Sequence, residues 1–322
     1  MASGSGATAR RWRRGRVVAA VVAALAVVGP PAAALRPVAD ASTGFPGTAS
    51  PRVVDGPAPR SSSAVTTPTT SGFDDEFDGP AGSPPNSQLW RIETGKEVWG
   101  GNGQLETNTA SPDNVSLDGK GHLVITARRA AGANQYTSGR IVGLLPLPTY
   151  GHFVARIKMP TGDGFWPSFW LIGVDPYGAT WPYGGEIDIA EMRTDQPSVQ
   201  YATAHGGRVT PGPYTRVSPS VGVDLHWYNT RLLRYDKPIS DAFHTFALDT
   251  SPGKLVWSFD SVPYMTLTSG MVPPGGIWPF DAVHYFMILN LAVGGDFSGN
   301  PTPSTPFPAS MVIDYVRVTS SS

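Results

Sequence analysis

The chain has 322 residues, with 24 Lys and Arg against 25 Asp and Glu, 37 Gly, 32 Pro, 9 Trp and no Cys. Without a basic surplus it is not a nucleic-acid binder that works by neutralising phosphates, and without cysteine it has no disulfide framework, thiolate metal site, iron–sulfur cluster or catalytic thiol. Few charges beside many Gly, Pro and aromatic residues predict short strands joined by turns.

Residues 1–41 read as a secretory signal peptide. The basic run Arg10-Arg11-Trp12-Arg13-Arg14-Gly15-Arg16 precedes about twelve apolar residues (17–28), then Gly29-Pro30-Pro31 and small residues. Cleavage after about residue 34 or 41 fits equally well. About twelve apolar residues fall short of the ~20 that a spanning helix needs, so a membrane anchor is the weaker reading. The paired arginines also fit a twin-arginine route. Residues 42–72 are Pro, Ser and Thr rich, as in Ser61-Ser62-Ser63-Ala64-Val65-Thr66-Thr67-Pro68, and predict a disordered linker. What remains, 73–318, is one domain's worth of chain.

Within that domain the period is two. Asn86-Ser87-Gln88-Leu89-Trp90 suits a single capped turn. Strands are predicted at 122–127, 153–159, 243–248, 255–259, 285–291 and 311–318, each β-branched or aromatic. Turns are marked by Asp118-Gly119-Lys120-Gly121 and Ser251-Pro252-Gly253-Lys254. Neither a long amphipathic helix nor a βαβ alternation is visible, which predicts an all-β, two-sheet antiparallel sandwich.

The chemistry lies in Gly184-Gly185-Glu186-Ile187-Asp188-Ile189-Ala190-Glu191-Met192. On a strand, Glu186 and Asp188 share one face while Ile187 and Ile189 point to the other, toward a core. Strict alternation would send Glu191 to the core side, but one extra residue near Ala190, a β-bulge, returns it to the face of Asp188. A row of three carboxylates suits glycoside hydrolysis with retention, which uses one carboxylate as nucleophile and one carboxylic acid as proton donor. An acid between the two can bond the nucleophile and help keep the donor protonated.

That segment resembles glycoside hydrolase family 16, in its laminarinase-type, endo-β-1,3-glucanase branch, where the bulged form of the motif occurs. Further blocks resemble the family in order: Tyr136-Thr137-Ser138-Gly139-Arg140-Ile141, Gly164-Phe165-Trp166-Pro167-Ser168-Phe169-Trp170-Leu171, Ile288-Leu289-Asn290-Leu291-Ala292-Val293-Gly294-Gly295 and Ile313-Asp314-Tyr315-Val316-Arg317-Val318. The resemblance implies a concanavalin A-like antiparallel β-jelly-roll sandwich with a cleft on its concave sheet, and hydrolysis of internal β-1,3 linkages of a laminarin-like β-glucan by double displacement. It implies Glu186 as nucleophile, Asp188 as supporting acid and Glu191 as acid/base. It also implies Trp166 and Trp170, with Arg140, Asn102, His205 and Asn290, as substrate-binding residues. Trp166 and Trp170 are four apart, so on a strand they share a face, and apolar sugar faces pack on indole rings. His152, His226, His244 and His284 carry no comparable context and read as structural.

No cofactor is expected for catalysis. The resemblance implies a structural calcium with Asp314 and Glu76 as ligands, hard oxygens that suit the ion; a solvated acidic turn at Asp74-Asp75-Glu76 is the plainer alternative. Three departures bear on specificity: Asp296-Phe297-Ser298 stands where many laminarinase-like members have Asn-Trp-Pro, Thr107 and Asn108 stand where tyrosines are common, and 210–237 fits the family poorly. The expected protein is a secreted, extracellular monomer whose partner is a polysaccharide, with no nucleic acid and no membrane after signal cleavage. Two alternatives stay open: another β-glycan, such as mixed-linkage glucan or galactan, or a non-catalytic β-glucan-binding protein, against which both glutamates argue.

Overall fold

The computed structural model describes residues 72–96, 102–132, 134–174, 181–208 and 226–321. The expected signal peptide, 1–41, and all but the last residue of the expected linker, 42–72, lie outside these. Among the described residues there is no α-helix, and no helix is long and apolar enough to cross a membrane.

Two sheets form the domain. The outer sheet runs in the order β15-β14-β13-β8-β17-β5-β6-β3, with β1 beside β17 and β4 beside β5. Its strands are β1 (Gly72–Asp75), β3 (Glu106–Asn108), β4 (Val115–Leu117), β5 (Leu123–Arg129), β6 (Tyr136–Ser138), β8 (Gly151–Lys158), β13 (His244–Ser251), β14 (Lys254–Phe259), β15 (Val262–Thr268) and β17 (Ala309–Ser320). The second sheet carries the acidic segment and runs β12-β11-β10-β9-β16-β7-β2. Its strands are β2 (Trp90–Glu93), β7 (Arg140–Gly143), β9 (Phe165–Val174), β10 (Glu186–Glu191), β11 (Val199–Gly207), β12 (His226–Arg234) and β16 (His284–Val293). Pairing is antiparallel throughout the second sheet and, in the outer one, everywhere except between β3 and β6.

The six strands read from the sequence are all present, as β5, β8, β13, β14, β16 and β17. The expected turn also forms, with Leu89 and Trp90 amides donating to the Asn86 carbonyl and the Gln88 amide to Asn86 Oδ1. At the β4–β5 turn Gly119 and Gly121 take φ of 76° and 83°, the left-handed region open to glycine, while Asp118 Oδ1 accepts the Lys120 and His122 amides.

Between the sheets, alternate residues interdigitate: Phe153, Ile157, Phe246, Leu248, Trp257 and Ile313 from the outer sheet meet Phe165, Phe169, Leu171, Ile187, Leu289 and Leu291 from the second, all fully buried. Burying side chains of this size contributes roughly 1.5–3 kcal/mol each relative to exposure. This filled interior fixes the second sheet so that its other face can present polar groups.

Candidate active site

β10 is held between β9 and β11, and its register shifts against both. Asp188 pairs with Trp170 of β9, yet Ala190 pairs with Phe169, the next residue, so Ile189 is the inserted position. Ile189 and Ala190 both turn to the core, and Glu191 comes round opposite Ser168 and Tyr201. The bulge expected near Ala190 is therefore present, and it puts Glu186, Asp188 and Glu191 on the face shared by Trp166, Ser168 and Trp170 of β9. The carbonyls of the bulge are taken up by side chains: Trp257, reaching across from the outer sheet, donates its indole N–H to the Asp188 carbonyl at 2.9 Å, and Gln200 donates to the Ile189 carbonyl at 2.8 Å. Buried carbonyls left without donors would cost roughly 1–3 kcal/mol each, so these two bonds stabilise the kink that aligns the acids.

Each acid has a distinct partner. Trp166 Nε1 donates to Glu191 Oε1 at 2.8 Å. His205, directly across from Glu186 on β11, brings Nε2 within 3.0 Å of Asp188 Oδ2 and 3.9 Å of Glu186 Oε1. Burial raises all three carboxyls, Glu186 and Glu191 to about 8 and Asp188 to about 7. Repulsion from Asp188 adds to the rise of both glutamates, whereas His205 opposes it at both and the Trp166 N–H opposes it at Glu191. The cluster titrates as one set, and at neutral pH it retains a proton rather than carrying three full charges.

The sign of the resulting pH dependence follows. These carboxyls hold protons more tightly folded than at their ordinary values of 4.5 and 3.8, so what this cluster contributes to stability is greatest at acid pH and is lost as the pH rises through about 4 to 8. Removing one of them should relieve the cost. Relative to the parent, Glu191→Gln is expected to gain about 1–2 kcal/mol between about pH 4 and about pH 9, well below the full shift because the site is partly open to water. Thermal unfolding at both pH values checks this, and a pH-independent difference would contradict it.

Comparison with known proteins turns this arrangement into a family. Residues 103–303 match the model of glycosyl hydrolases family 16. The chain belongs to that family. It is 34% identical over 269 residues to glucan endo-1,3-beta-glucosidase A1 of Niallia circulans, covering 76% of this chain and 37% of the relative. It is 32% identical to a beta-glucanase of Rhodothermus marinus, covering 76% of this chain and 83% of the relative. The solved endo-beta-1,3-glucanase of Pyrococcus furiosus superposes with a TM-score of 0.64 at 35% identity, over 77% of this chain and 93% of that one. The chain therefore spans little more than a third of the first relative and most of the other two.

In this family 16 domain the remaining site candidates fall in different places. Trp166 and Trp170 share the site face and are both half-buried, so neither is a core residue. Trp170 Nε1 donates to Asn290 Oδ1 at 2.8 Å, and its ring packs on a small apolar cluster of Val142, Ile172 and Ile288. Arg140 and Asn290, expected to bind sugar hydroxyls, are only 4% and 5% exposed, Asn290 bonded to Trp170 and Arg140 paired across from Asn290 on β7. The Arg140 charge is balanced by Glu106 and Glu93, while burial lowers its pKa; its Nε and Nη1 have no hydrogen-bond partner among the described residues. Asn102 is exposed, and its carbonyl accepts the Asp296 amide, tying its loop to the one that carries Phe297. The preceding 97–101 lie outside the described residues. An open groove of about 680 Å³ lined by Arg128, Arg129, Tyr136, Thr302 and Phe307 lies elsewhere and contributes no group to this site.

The calcium expectation fares differently. Asp314 Oδ2 accepts from Arg156 Nη1 at 2.6 Å, and Glu76 is paired with Arg317. Guanidinium groups already neutralise both carboxylates, so this pair does not present the free hard-oxygen set that calcium takes. Among the described residues, the cluster of three acid or imidazole groups with ligand atoms within 4.8 Å of one another is Glu186, Asp188 and His205.

Four side chains of the site escaped the sequence reading. Trp257 and Gln200 act on backbone from strands that carry no acidic signal. Tyr201, opposite Glu191, lies 5.0 Å from Phe297, which in turn packs 4.8 Å from Trp166. The Phe297 ring thus lines the Glu191 end of the row. His226, read as structural, is bonded to His205: the two nitrogens are 2.7 Å apart.

Proposed function

We propose that the chain is a secreted enzyme that hydrolyses internal β-1,3-glucosidic bonds of a laminarin-like glucan with retention of configuration, acting as a monomer. Its class, an endo-acting glycoside hydrolase of family 16 working on β-glucan, is carried by the family membership and the glucanase relatives. The observation that supports the mechanism is the bulge: it sets Glu186, Asp188 and Glu191 on one face with separate partners.

In this reading Glu186 attacks the anomeric carbon while the Glu191 carboxyl passes its proton to the departing glycosidic oxygen. The resulting ester joins the sugar to Glu186. Water then enters, gives a proton to Glu191 and its oxygen to the anomeric carbon, and Glu186 leaves as carboxylate. Asp188 supports the pair through its negative charge, which raises the Glu191 carboxyl and helps it keep the proton it must deliver. The Trp166 N–H orients Glu191 and steadies its ionised form in the second step. Trp166 and Trp170 offer apolar ring faces to the sugars, with Asn290 bracing Trp170 and Asn102 at the rim. Secretion rests on the basic-then-apolar N-terminus.

A panel of laminarin, lichenan, agarose and xyloglucan with product sizing tests the substrate. Laminarin should yield a ladder of internal fragments from the first minutes. Activity confined to agarose or xyloglucan, or none on laminarin, would overturn the assignment.

A further inference from the structure

β12 is the edge strand of the site sheet, and its first residue, His226, faces the second imidazole of the site. His205 Nε2 lies 3.0 Å from Asp188 Oδ2, and His205 Nδ1 lies 2.7 Å from His226 Nε2. The ring centroids are 5.0 Å apart with planes within 14°. At that nitrogen separation the rings meet edge to edge in a common plane, which is the geometry of an N–H···N hydrogen bond and not of a face-to-face stack. The His226 ring is itself held between neighbours, Trp181 at 5.0 Å and Tyr228 at 5.7 Å.

With Asp188 ionised and His205 neutral, the chain of bonds has one consistent direction. An ionised aspartate only accepts, so His205 must carry its hydrogen on Nε2; its Nδ1 is then bare and must accept, which obliges His226 to donate from Nε2. The His226 donor acts with the Asp188 carboxylate to favour this tautomer of His205 over the other, whose bare Nε2 would face Asp188 lone pair to lone pair.

We propose that His226 is a positioning residue for hydrolysis: it donates to His205 Nδ1, fixes His205 as the Nε2–H tautomer, and so holds the N–H that Asp188 accepts beside Glu186. The inference deepens the hydrolytic reading and rests on it for its effect on rate, although the tautomer itself does not.

The test uses the full chain labelled with nitrogen-15 histidine, and laminarin as the kinetic probe. In the parent, the long-range nitrogen–proton correlations should show His205 as Nε2–H, with a scalar coupling between His205 Nδ1 and His226 Nε2. His226→Phe, which keeps a ring and removes the donor, should lower kcat roughly ten-fold with KM within about two-fold and leave His205 a mixture of tautomers. His226→Gln, whose amide can donate from nearly the same place, should keep kcat within about three-fold and retain the Nε2–H form. The proposal is overturned if parental His205 carries its hydrogen on Nδ1, if His226→Phe leaves kcat unchanged, or if His226→Gln loses as much as His226→Phe, which would reduce the residue to packing. Should His226→Phe not fold, the parental spectrum and His226→Gln still decide. A parent inactive on laminarin would defeat the hydrolytic reading, while the spectrum would still rule on the tautomer.

Discussion

Glu186→Gln is expected to reduce laminarin hydrolysis on the order of 10⁴–10⁶-fold, the scale seen when a covalent nucleophile is removed. The amide matches the carboxylate in shape but cannot form the glycosyl ester, so kcat should collapse while substrate affinity changes little. The fold should survive. Glu186 is raised to about 8 by burial and by Asp188, and its replacement removes a repulsive charge from a set that is costly to ionise. Calorimetry should therefore show a variant at least as stable as the parent at alkaline pH. A Glu186→Gln protein with full activity would sink the assignment of the nucleophile.

Glu191→Ala separates the two glutamates by role. On laminarin it should lose roughly 10²–10⁴-fold, because the leaving sugar oxygen then departs without a proton. On a dinitrophenyl β-laminarioligoside the first step needs no proton, so glycosyl-enzyme accumulates and the attack of water becomes limiting. Azide needs no general base. Its nitrogen attacks the anomeric carbon, the ester bond to Glu186 breaks, and turnover should recover with formation of a β-glycosyl azide. An α-glycosyl azide from this variant would assign Glu191, and not Glu186, as the nucleophile. The Trp166 N–H that meets Glu191 at 2.8 Å loses its acceptor in this variant, so Trp166→Phe provides a milder companion with a smaller loss.

The core strands were legible because period-two alternation reports directly on which face meets the other sheet. Phe153, Ile157, Phe246, Leu248 and Ile313 illustrate it, all fully buried in the strands where the pattern puts them. The bulge was legible for a sharper reason: three carboxylates cannot share a face across the Glu186–Glu191 spacing unless one residue is inserted, and the register against β9 contains that insertion at Ile189.

β12 was not legible. As the edge strand it buries only Trp227 and exposes Tyr228, Thr230, Arg231, Leu232 and Arg234, so no alternation marks it. Its pairing with β11 is nonetheless what brings His226 to His205. Trp257 and Gln200 reach the bulge from positions 69 and 11 residues away from the carbonyls they cap, contacts that no local spacing encodes. Arg140 and Asn290 were found as matched positions, but whether a polar side chain on a strand lies open or buried depends on its neighbours. Here Trp170 takes the Asn290 oxygen, and Arg140 and Asn290 are both buried.

The central claim is that Glu186 and Glu191 act together in a double displacement, and the anomer first released reports on it most directly. Proton NMR of laminarin digestion, followed from the first seconds before mutarotation, should show the new reducing ends appearing as the β-anomer and drifting only later toward equilibrium. Initial release of the α-anomer would mean a single displacement by water and would contradict the account.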